Sequence, residues 1–473
     1  MGIFLSIVAL SIAFAGGVGV VLLLRPHPAL TDICGVCGTA LILGAGLVSL
    51  SSFCLGFLIQ GAPLRCAVAA VCLGAAGCAW KRRNWALPAI PRLLFRAPQA
   101  IALVLVTAQL SFVTWLSLYR QSLGWDGLFN WESKARVAFL NGGAIPLQYY
   151  TSNHDFFHRS YPPLVPLLEA WIYGFLGRMD QSVIKLIGPY FYLAAALLLL
   201  SAANRTSQWR WSGIFVLLPF LFVPALAMGQ GSASSGYADF PLSAVYVCAV
   251  VHCVEYWRTR SAASARLLGL SAALLPFTKA EGIVPLLCLA AAIAPLVATE
   301  RNWKLGAWAV LPGSGLWLGW SVFMSSVGAP RDPDFAGFTP AVFASHVNRA
   351  WPLVRWTLEE SIALRRWSLL WLLAAGALCY LSLHKVKLRW YPWAAMVCLP
   401  LLLYPCAYFF SAWNPVEPHV KISLPRLFVH IASAAALMVG IVFAEVVAPG
   451  NGSPSLSEPG PLLSPGPPAE QVQ

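Results

Sequence analysis

Apolar residues run along this chain in long unbroken blocks separated by short polar joints. A block of about 20 such residues, coiled as a helix, matches the hydrocarbon thickness of a bilayer. Blocks of that kind fall at roughly 4–24, 33–59, 65–80, 99–118, 183–203, 212–228, 241–257, 281–298, 305–325, 367–383, 392–411 and 424–447. Two shorter ones, 163–177 and 264–277, are expected either to cross or to re-enter. The strands of a membrane barrel alternate apolar and polar residues and never give such runs, so a β-barrel is excluded. The pattern predicts an all-α polytopic membrane protein with about 12–13 transmembrane helices.

Composition agrees. Of 473 residues 59% are hydrophobic and 10% charged, and the mean hydropathy is +0.70, too little polarity for a water-soluble surface. The net charge of +13 sits in short joints: "KRRNWALPAIPRLLFR" (81–96), "NRTSQWR" (204–210), "WRTRSAASAR" (257–266), "ERNWK" (300–304) and "HKVKLR" (384–389). Positive joints between apolar blocks face the cytoplasm. Basic clusters divided among transmembrane helices offer no continuous surface for nucleic acid, so no such partner is expected. This orientation places 119–162, 229–240 and most of 326–366 outside. Residues 163–203 must then cross an odd number of times, so one of their two apolar pieces is a half-span or one basic joint is misassigned.

The first block lacks a positive leading region and a small-residue cleavage site, and is expected to stay as an anchor rather than a cleaved signal. The 12 cysteines lie almost entirely within apolar blocks, where thiols behave as small hydrophobes, and the Cys34/Cys37 pair has no second pair to make a metal site. From Pro449 the chain is rich in Pro, Gly and Ser and is expected to be disordered. The chain divides into N-terminal transmembrane helices with a basic joint (1–98), a main transmembrane module with the loop 119–162 (99–448), and the tail (449–473).

Within 119–162 the stretch "GWDGLFNWESKARVAFLNGG" (124–143) concentrates charge. Trp131, Ala135 and Phe139 fall on one stripe at helical spacing, while Glu132 and Arg136 form an i, i+4 pair on another. This predicts a helix lying flat in the interface, aromatic side down and charges toward water. That accounts for Glu132, Lys134 and Arg136 but not for Asp126, a carboxylate between Trp125 and Gly127 where a helix leaves the membrane. Asp126 either caps the following helix or serves as a base near the membrane surface, and taken alone the cap is the better explanation.

Other charges sit at comparable depth. "SNHDFFHRSYPPLVPLLEAW" (152–171) carries His154, Asp155, His158, Arg159 and Tyr161 before a Pro-Pro helix start. Imidazole and carboxylate are ordinary metal ligands, so a divalent metal ion on Asp126, His154, Asp155 or His158 is left open. Asp239 in "GYADFP" stands where an outer joint enters the membrane, Lys279 and Glu281 stand between two apolar halves in "FTKAEG", and Arg426 lies just inside the last block. A buried charge of this kind demands a partner or a use.

The order of these motifs, "WDGLFNWESKARVAFLNGG … YPPLVPLLEAWIYGFLG … GYADFPLSAVY … FTKAEGI … SLPRLFVH", resembles bacterial glycosyltransferases of the GT-C superfamily. The nearest branch holds the family 39-like, dolichyl-phosphate-mannose mannosyltransferase-type and lipid A aminoarabinose transferase-type proteins. The likeness covers about residues 100–300 and, more loosely, the last helix. It implies a GT-C-like bundle with a large first extracytoplasmic loop in the bacterial inner membrane. It also implies a hexosyl- or pentosyltransferase that moves a sugar from a polyprenyl-phosphate donor to an envelope lipid, glycan or protein. Asp126 matches the family's acidic residue at the start of that loop and is assigned the catalytic role. The neighbouring acid of the family is Gly127 here, so a second acidic role passes to Glu132 or Asp155 or is absent. Pro162 and Pro163 match the helix start and Asp239 the later acid, with Arg159 the nearest cation to the Pro motif. The substrate-binding set is then Glu132, Lys134, His158, Arg159, Tyr161, Asp239, Lys279, Glu281 and Arg426, with Arg159, Lys279 and Arg426 facing the lipid phosphate. The alternatives are a transporter or flippase of lipid-linked sugars and a polymerase or ligase of envelope polysaccharide.

Overall fold

The computed structural model describes residues 1–25, 32–82, 97–122, 124–152, 158–206, 209, 211–330, 332–383 and 390–447. His154, Asp155, the tail from Pro449, most of 81–96, part of 204–210 and all of 384–389 lie outside the described residues. The structure is 82% helical, with no strand among the described residues. Lipid offers no partner to a peptide group, so a chain this apolar satisfies its backbone internally as helices.

The chain opens with four long helices, α1 (Gly2–Leu24), α2 (Ile33–Leu55), α3 (Ala62–Arg82) and α4 (Ala97–Tyr119). A polar connection follows, in which the π-helical turn Asp126–Glu132 runs straight into α5 (Ser133–Leu140). Then come α6 (Leu164–Leu176), α7 (Ile187–Thr206), α8 (Ser212–Leu221), α9 (Asp239–Thr259), α10 (Ala262–Thr278), α11 (Ile283–Glu300) and α12 (Trp303–Ser326). A second polar connection holds α13 (Ala350–Ser361) before α14 (Leu370–Leu383), α15 (Leu399–Cys406) and α16 (Glu417–Val447). Among the described residues nine helices are long and apolar enough to cross a membrane: α1 to α4, Gln181–Thr206, α9, Ala280–Glu300, Trp390–Phe410 and α16. The protein is a multi-pass membrane protein.

Two of these form the centre. The apolar stretch of α9 is 89% buried and that of α16 is 94% buried, against 22% for α3, which identifies α9 and α16 as the axis around which the others pack. Small residues set the closest crossing. A Cβ added to Gly17 of α1 would run into the Ala40 carbonyl of α2, and one on Gly44 of α2 into the Ala13 carbonyl of α1.

Two buried clusters of charge mark the ends of the bundle. At one end Asp32, from the α1–α2 turn, takes hydrogen bonds from Ser201 of α7 at 2.7 Å and Arg25 at 3.0 Å, and pairs with Arg205. Arg205 and Arg25 also pair with Glu255 of α9, at 2.5 and 3.4 Å. At the other end lie Asp126, Asp239, Lys279 and Arg426. Asp239 and Glu255 stand on one helix, 16 residues apart, or about 24 Å along its axis.

These ends bear on the crossing parity. α6 has 13 residues and spans about 20 Å, short of a bilayer core. Both its ends stay near the Asp239 end of the bundle: Ser49 donates to the Leu164 carbonyl at 2.8 Å, and Gly174 approaches Arg65 near the start of α3. Of the two apolar pieces in 163–203, only α7 therefore crosses. α10, the other short piece, runs from the Arg260 end of the bundle to the Lys279 end. The block at 212–228 stops early: α8 contains Pro219 and ends at Leu221, and a separate turn follows over Pro224–Ala227. The block at 392–411 is interrupted by a π-helical turn, Ala394–Cys398, and finishes as a 3-10 turn, Ala407–Phe410.

Candidate functional site

The site lies between the start of α9 and the first third of α16, and Asp126, Asp239 and Lys279 are each delivered next to a break in regular structure. The segment before α9 turns on Gly231 at φ 81°, where a Cβ would press on Arg426 and Asp239, so glycine lets the backbone lie against the ion pair. Asp239 then enters in the first turn of α9. Lys279 caps α10 in extended backbone, φ −155° and ψ 149°, which turns its side chain back into the bundle instead of continuing the helix. Arg426 and His430 lie one turn apart on one face of α16.

Asp239 is fully buried and is the hub. Its Oδ1 accepts from Lys279 Nζ at 2.8 Å and meets His430 Nε2 at 2.8 Å, while Oδ2 accepts from Arg426 Nε at 3.3 Å. Lys279 reaches onward to Glu281 at 2.9 Å, and His430 Nδ1 lies 3.2 Å from the Tyr404 hydroxyl. Arg426 packs its guanidinium 4.7 Å from the centre of the Tyr237 ring and pairs through Nη2 with Asp126 Oδ2 at 2.5 Å. The other oxygen of Asp126 accepts from Asn130 Nδ2 at 2.8 Å. Asp126 retains 13% of its side-chain surface, whereas Asp239 has none. Of the two carboxylates, Asp126 is the one a ligand can reach.

Asn130 links this cluster to a second. Its Oδ1 accepts the His158 backbone N–H at 3.0 Å, and the His158 ring stacks on Tyr161, centroids 4.6 Å apart. His158 Nδ1 lies 3.1 Å from Asp332 Oδ2, and Nε2 lies 3.6 Å from Asp334 Oδ2. Burial works against the charged imidazole, but the Asp332 hydrogen bond and the charges of Asp332, Asp334 and Asp126 outweigh it and raise the His158 pKa. Asp332 is held low: burial opposes its charge, and the His158 hydrogen bond and charge outweigh that. Among the described residues His158, Asp332 and Asp334 alone form a set that could hold a metal ion, with ligand atoms all within 4.8 Å. Asp126 is not part of it.

The helix expected to float with its charges in water is buried instead. Glu132 and Lys134 have essentially no exposed surface, and Arg136 keeps the expected i, i+4 pair with Glu132. Glu132 accepts from Ser122 at 3.1 Å and Gln181 at 2.7 Å, so its charge is neutralised inside the fold rather than hydrated. Lys134 Nζ donates to the Tyr161 carbonyl at 2.6 Å and the Arg159 carbonyl at 3.3 Å, and burial lowers its pKa to about 7. These bonds tie α5 to the chain entering α6, which makes Glu132 and Lys134 supports of the site. Asp126 does not cap the helix, since Trp125 holds that position and no side chain caps it. Arg159 is buried, with its charge beside Tyr149. Pro163 stands just before α6, as the Pro-Pro start implies.

The structure thus brings Asp126, Asp239, Lys279, Glu281 and Arg426 into one cluster, with His158 and Tyr161 next to it. Sequence reasoning missed His430, Tyr404, Tyr237 and Asn130, and the pair Asp332/Asp334. His430 carried a signal, four residues after Arg426 on the same helix face. Asp332-Pro-Asp334 carried another, two acids in an otherwise weakly charged connection. A polar cleft of about 520 Å³ opens at this same end, lined by His346, Asn348, Arg349, Ser411 and Asn414 among others. Compared with known proteins, the chain matches no family model, no curated protein and no solved structure.

Proposed function

We propose that this chain is a GT-C-like glycosyltransferase of a bacterial inner membrane. It moves a sugar from a polyprenyl-phosphate donor to an envelope lipid, glycan or protein, working at the extracytoplasmic face with inversion. The observation that carries the reading is convergence. Asp126, Asp239, Lys279 and Arg426 come from four distant parts of the chain and meet at one end of the bundle, around a carboxylate that is still accessible. The basic joints near Arg205, Arg258 and Arg260 lie at the opposite end, which by the charge rule supports an outward-facing Asp126 end.

The chemistry follows from the charges. An acceptor hydroxyl displaces Asp126 from Arg426, and the carboxylate takes its proton as the oxygen attacks the anomeric carbon. The bond from that carbon to the phosphate oxygen breaks, its electron pair leaves with the lipid phosphate, and configuration inverts. Arg426, freed from Asp126, and Lys279 supply positive charge where the phosphate becomes more negative. Asp239 keeps both cations aimed without taking part in proton transfer.

The test compares envelope glycans by mass spectrometry in a parent strain, a deletion, and the deletion complemented with Asp126→Asn at verified membrane levels. Loss of one defined sugar mass in both altered strains is expected, with transfer falling at least about 100-fold in the variant. Transfer near the parental rate from Asp126→Asn would remove it as the base. A second reading, a transporter of lipid-linked sugar, is favoured by one observation: α9 carries buried ionisable groups at both of its ends. In that case the deletion accumulates the donor in the inner leaflet.

A further inference from the structure

The second cluster has a geometry that an ion pair leaves half used. The imidazole of His158 is fixed on both sides, by its stack on Tyr161 and by the Asn130 bond to its backbone. Each carboxylate facing it is oriented through its other oxygen. Asp332 Oδ1 accepts the Asp334 backbone N–H at 3.0 Å, and Asp334 Oδ1 accepts Trp413 Nε1 at 2.9 Å. The two Oδ2 atoms that remain point at one ring. Asp332 Oδ2 reaches it at 3.1 Å, but Asp334 Oδ2 stops at 3.6 Å, beyond a hydrogen bond. Two carboxylates stand against one imidazole, so this set keeps a net negative charge even when the ring is protonated.

We propose that His158, Asp332 and Asp334 form a divalent-cation site that clasps the segment after α12 onto the segment before α6. The three ligand atoms lie within 4.8 Å of one another. Ligands about 2.1 Å from one ion stand about 3–4 Å apart, so small side-chain rotations close the set. One imidazole nitrogen with two carboxylate oxygens suits a first-row ion such as Mn²⁺ or Zn²⁺ better than Ca²⁺ or Mg²⁺. Three protein ligands leave positions for water. Asn130 and Trp413 act as the groups that orient the ligands. Through Asn130 the clasp reaches Asp126, and through Trp413 it reaches the chain entering α16. The site stands on this geometry and does not depend on the transferase reading.

The experiment uses the full chain purified into nanodiscs, stripped with a chelator and titrated with Mn²⁺. One Mn²⁺ per chain is expected, with a nitrogen coupling in its pulsed electron paramagnetic resonance spectrum. His158→Gln should lose that coupling, and Asp332→Asn with Asp334→Asn should weaken binding at least about tenfold. Trp413→Phe keeps all three ligands and should weaken binding by less. Absence of a nitrogen-coupled ion in the parent overturns the proposal, as does equal binding by parent and His158→Gln. If the double variant does not insert, the parent spectrum and His158→Gln decide by the same two results.

Discussion

The two ends of α9 hold the same materials in different arrangements. At the Glu255 end two acids, Asp32 and Glu255, meet two arginines, Arg25 and Arg205, with His252 bonded to Thr39 at 3.0 Å and to Glu255 at 3.4 Å. Each acid meets both arginines, and the acids are nearly sealed. The groups come from regular helices and one turn. At the Asp239 end three acids, Asp126, Asp239 and Glu281, share two full cations, Lys279 and Arg426. Here Asp126, Asp239 and Lys279 arrive on a π-helical turn, beside a glycine turn and on an extended break, Arg426 arrives on α16, and Asp126 and Glu281 keep some exposure. Buried charge alone therefore does not mark a working site. The sealed cluster is a staple between α2, α7 and α9. The other cluster, with Asp126 and Glu281 partly exposed and three acids for two full cations, is the one whose groups are not fully committed to each other.

The sharpest way to break this contrast is to remove one arginine from each end. Arg426→Met strands Asp126 and leaves Asp239 to Lys279, and Arg205→Met leaves Asp32 and Glu255 to share Arg25. Each should cost about 3–5 kcal/mol, read by thermal unfolding in detergent. If the proposed transfer is the activity, the folded fraction separates them: Arg205→Met molecules should transfer sugar at the parental rate, and Arg426→Met molecules should not. Equal activity in the two variants would erase the distinction between staple and site.

Lys134→Met tests the supporting layer. It leaves the Tyr161 and Arg159 carbonyls without their buried donor and should lower stability by about 1–3 kcal/mol. Because Lys134 has its pKa lowered from 10.5 to about 7, the unfolded chain binds the extra proton between those values. Its contribution is fully present above pH 10.5 and is lost as pH falls through 7. The parent should gain thermal stability as pH rises from 7 toward 10, and Lys134→Met should show a flatter profile. The same slope in both would mean Lys134 stays charged where it is buried.

The smallest effect belongs to an exposed pair. Arg260 and Glu300 meet at the Glu255 end with about a third of each side chain in solvent. Glu300→Gln should change stability by no more than about 1 kcal/mol and leave the proposed activity unchanged. A larger loss would mean that this end, too, depends on surface charge.

Most of the spans could be read directly, because a peptide group in lipid has to be helical and apolar runs report that locally. Proline accounts for the breaks within two blocks, while α14 over Leu370–Leu383 is short without one. In α8 and in the Trp390–Phe410 run, Pro219, Pro392 and Pro405 stand inside blocks whose hydropathy is unbroken, and hydropathy does not register a missing N–H. At the site, Asp126, Asp239, Lys279 and Arg426 stood out because each is an expensive residue at its depth. Asn130, Tyr237 and Tyr404 did not, since amides and phenols are unremarkable at a membrane boundary. Glu132 and Lys134 were misplaced because a helical wheel separates faces without saying whether the polar face meets water or other protein.

What the sequence determined by itself was the membrane class, the helical content and a short roster of charges in costly places, all consequences of local chemistry against a known solvent. Only the tertiary structure decided which of those charges meet. Asp126 and Arg426 are 300 residues apart in the chain and 2.5 Å apart in space, and that pairing depends on how α9, α10 and α16 pack. It also decided that α6 stops short of crossing, and that one buried cluster is closed while the other stays open. Pairing and closure are properties of several segments at once, and no single stretch of sequence carries them.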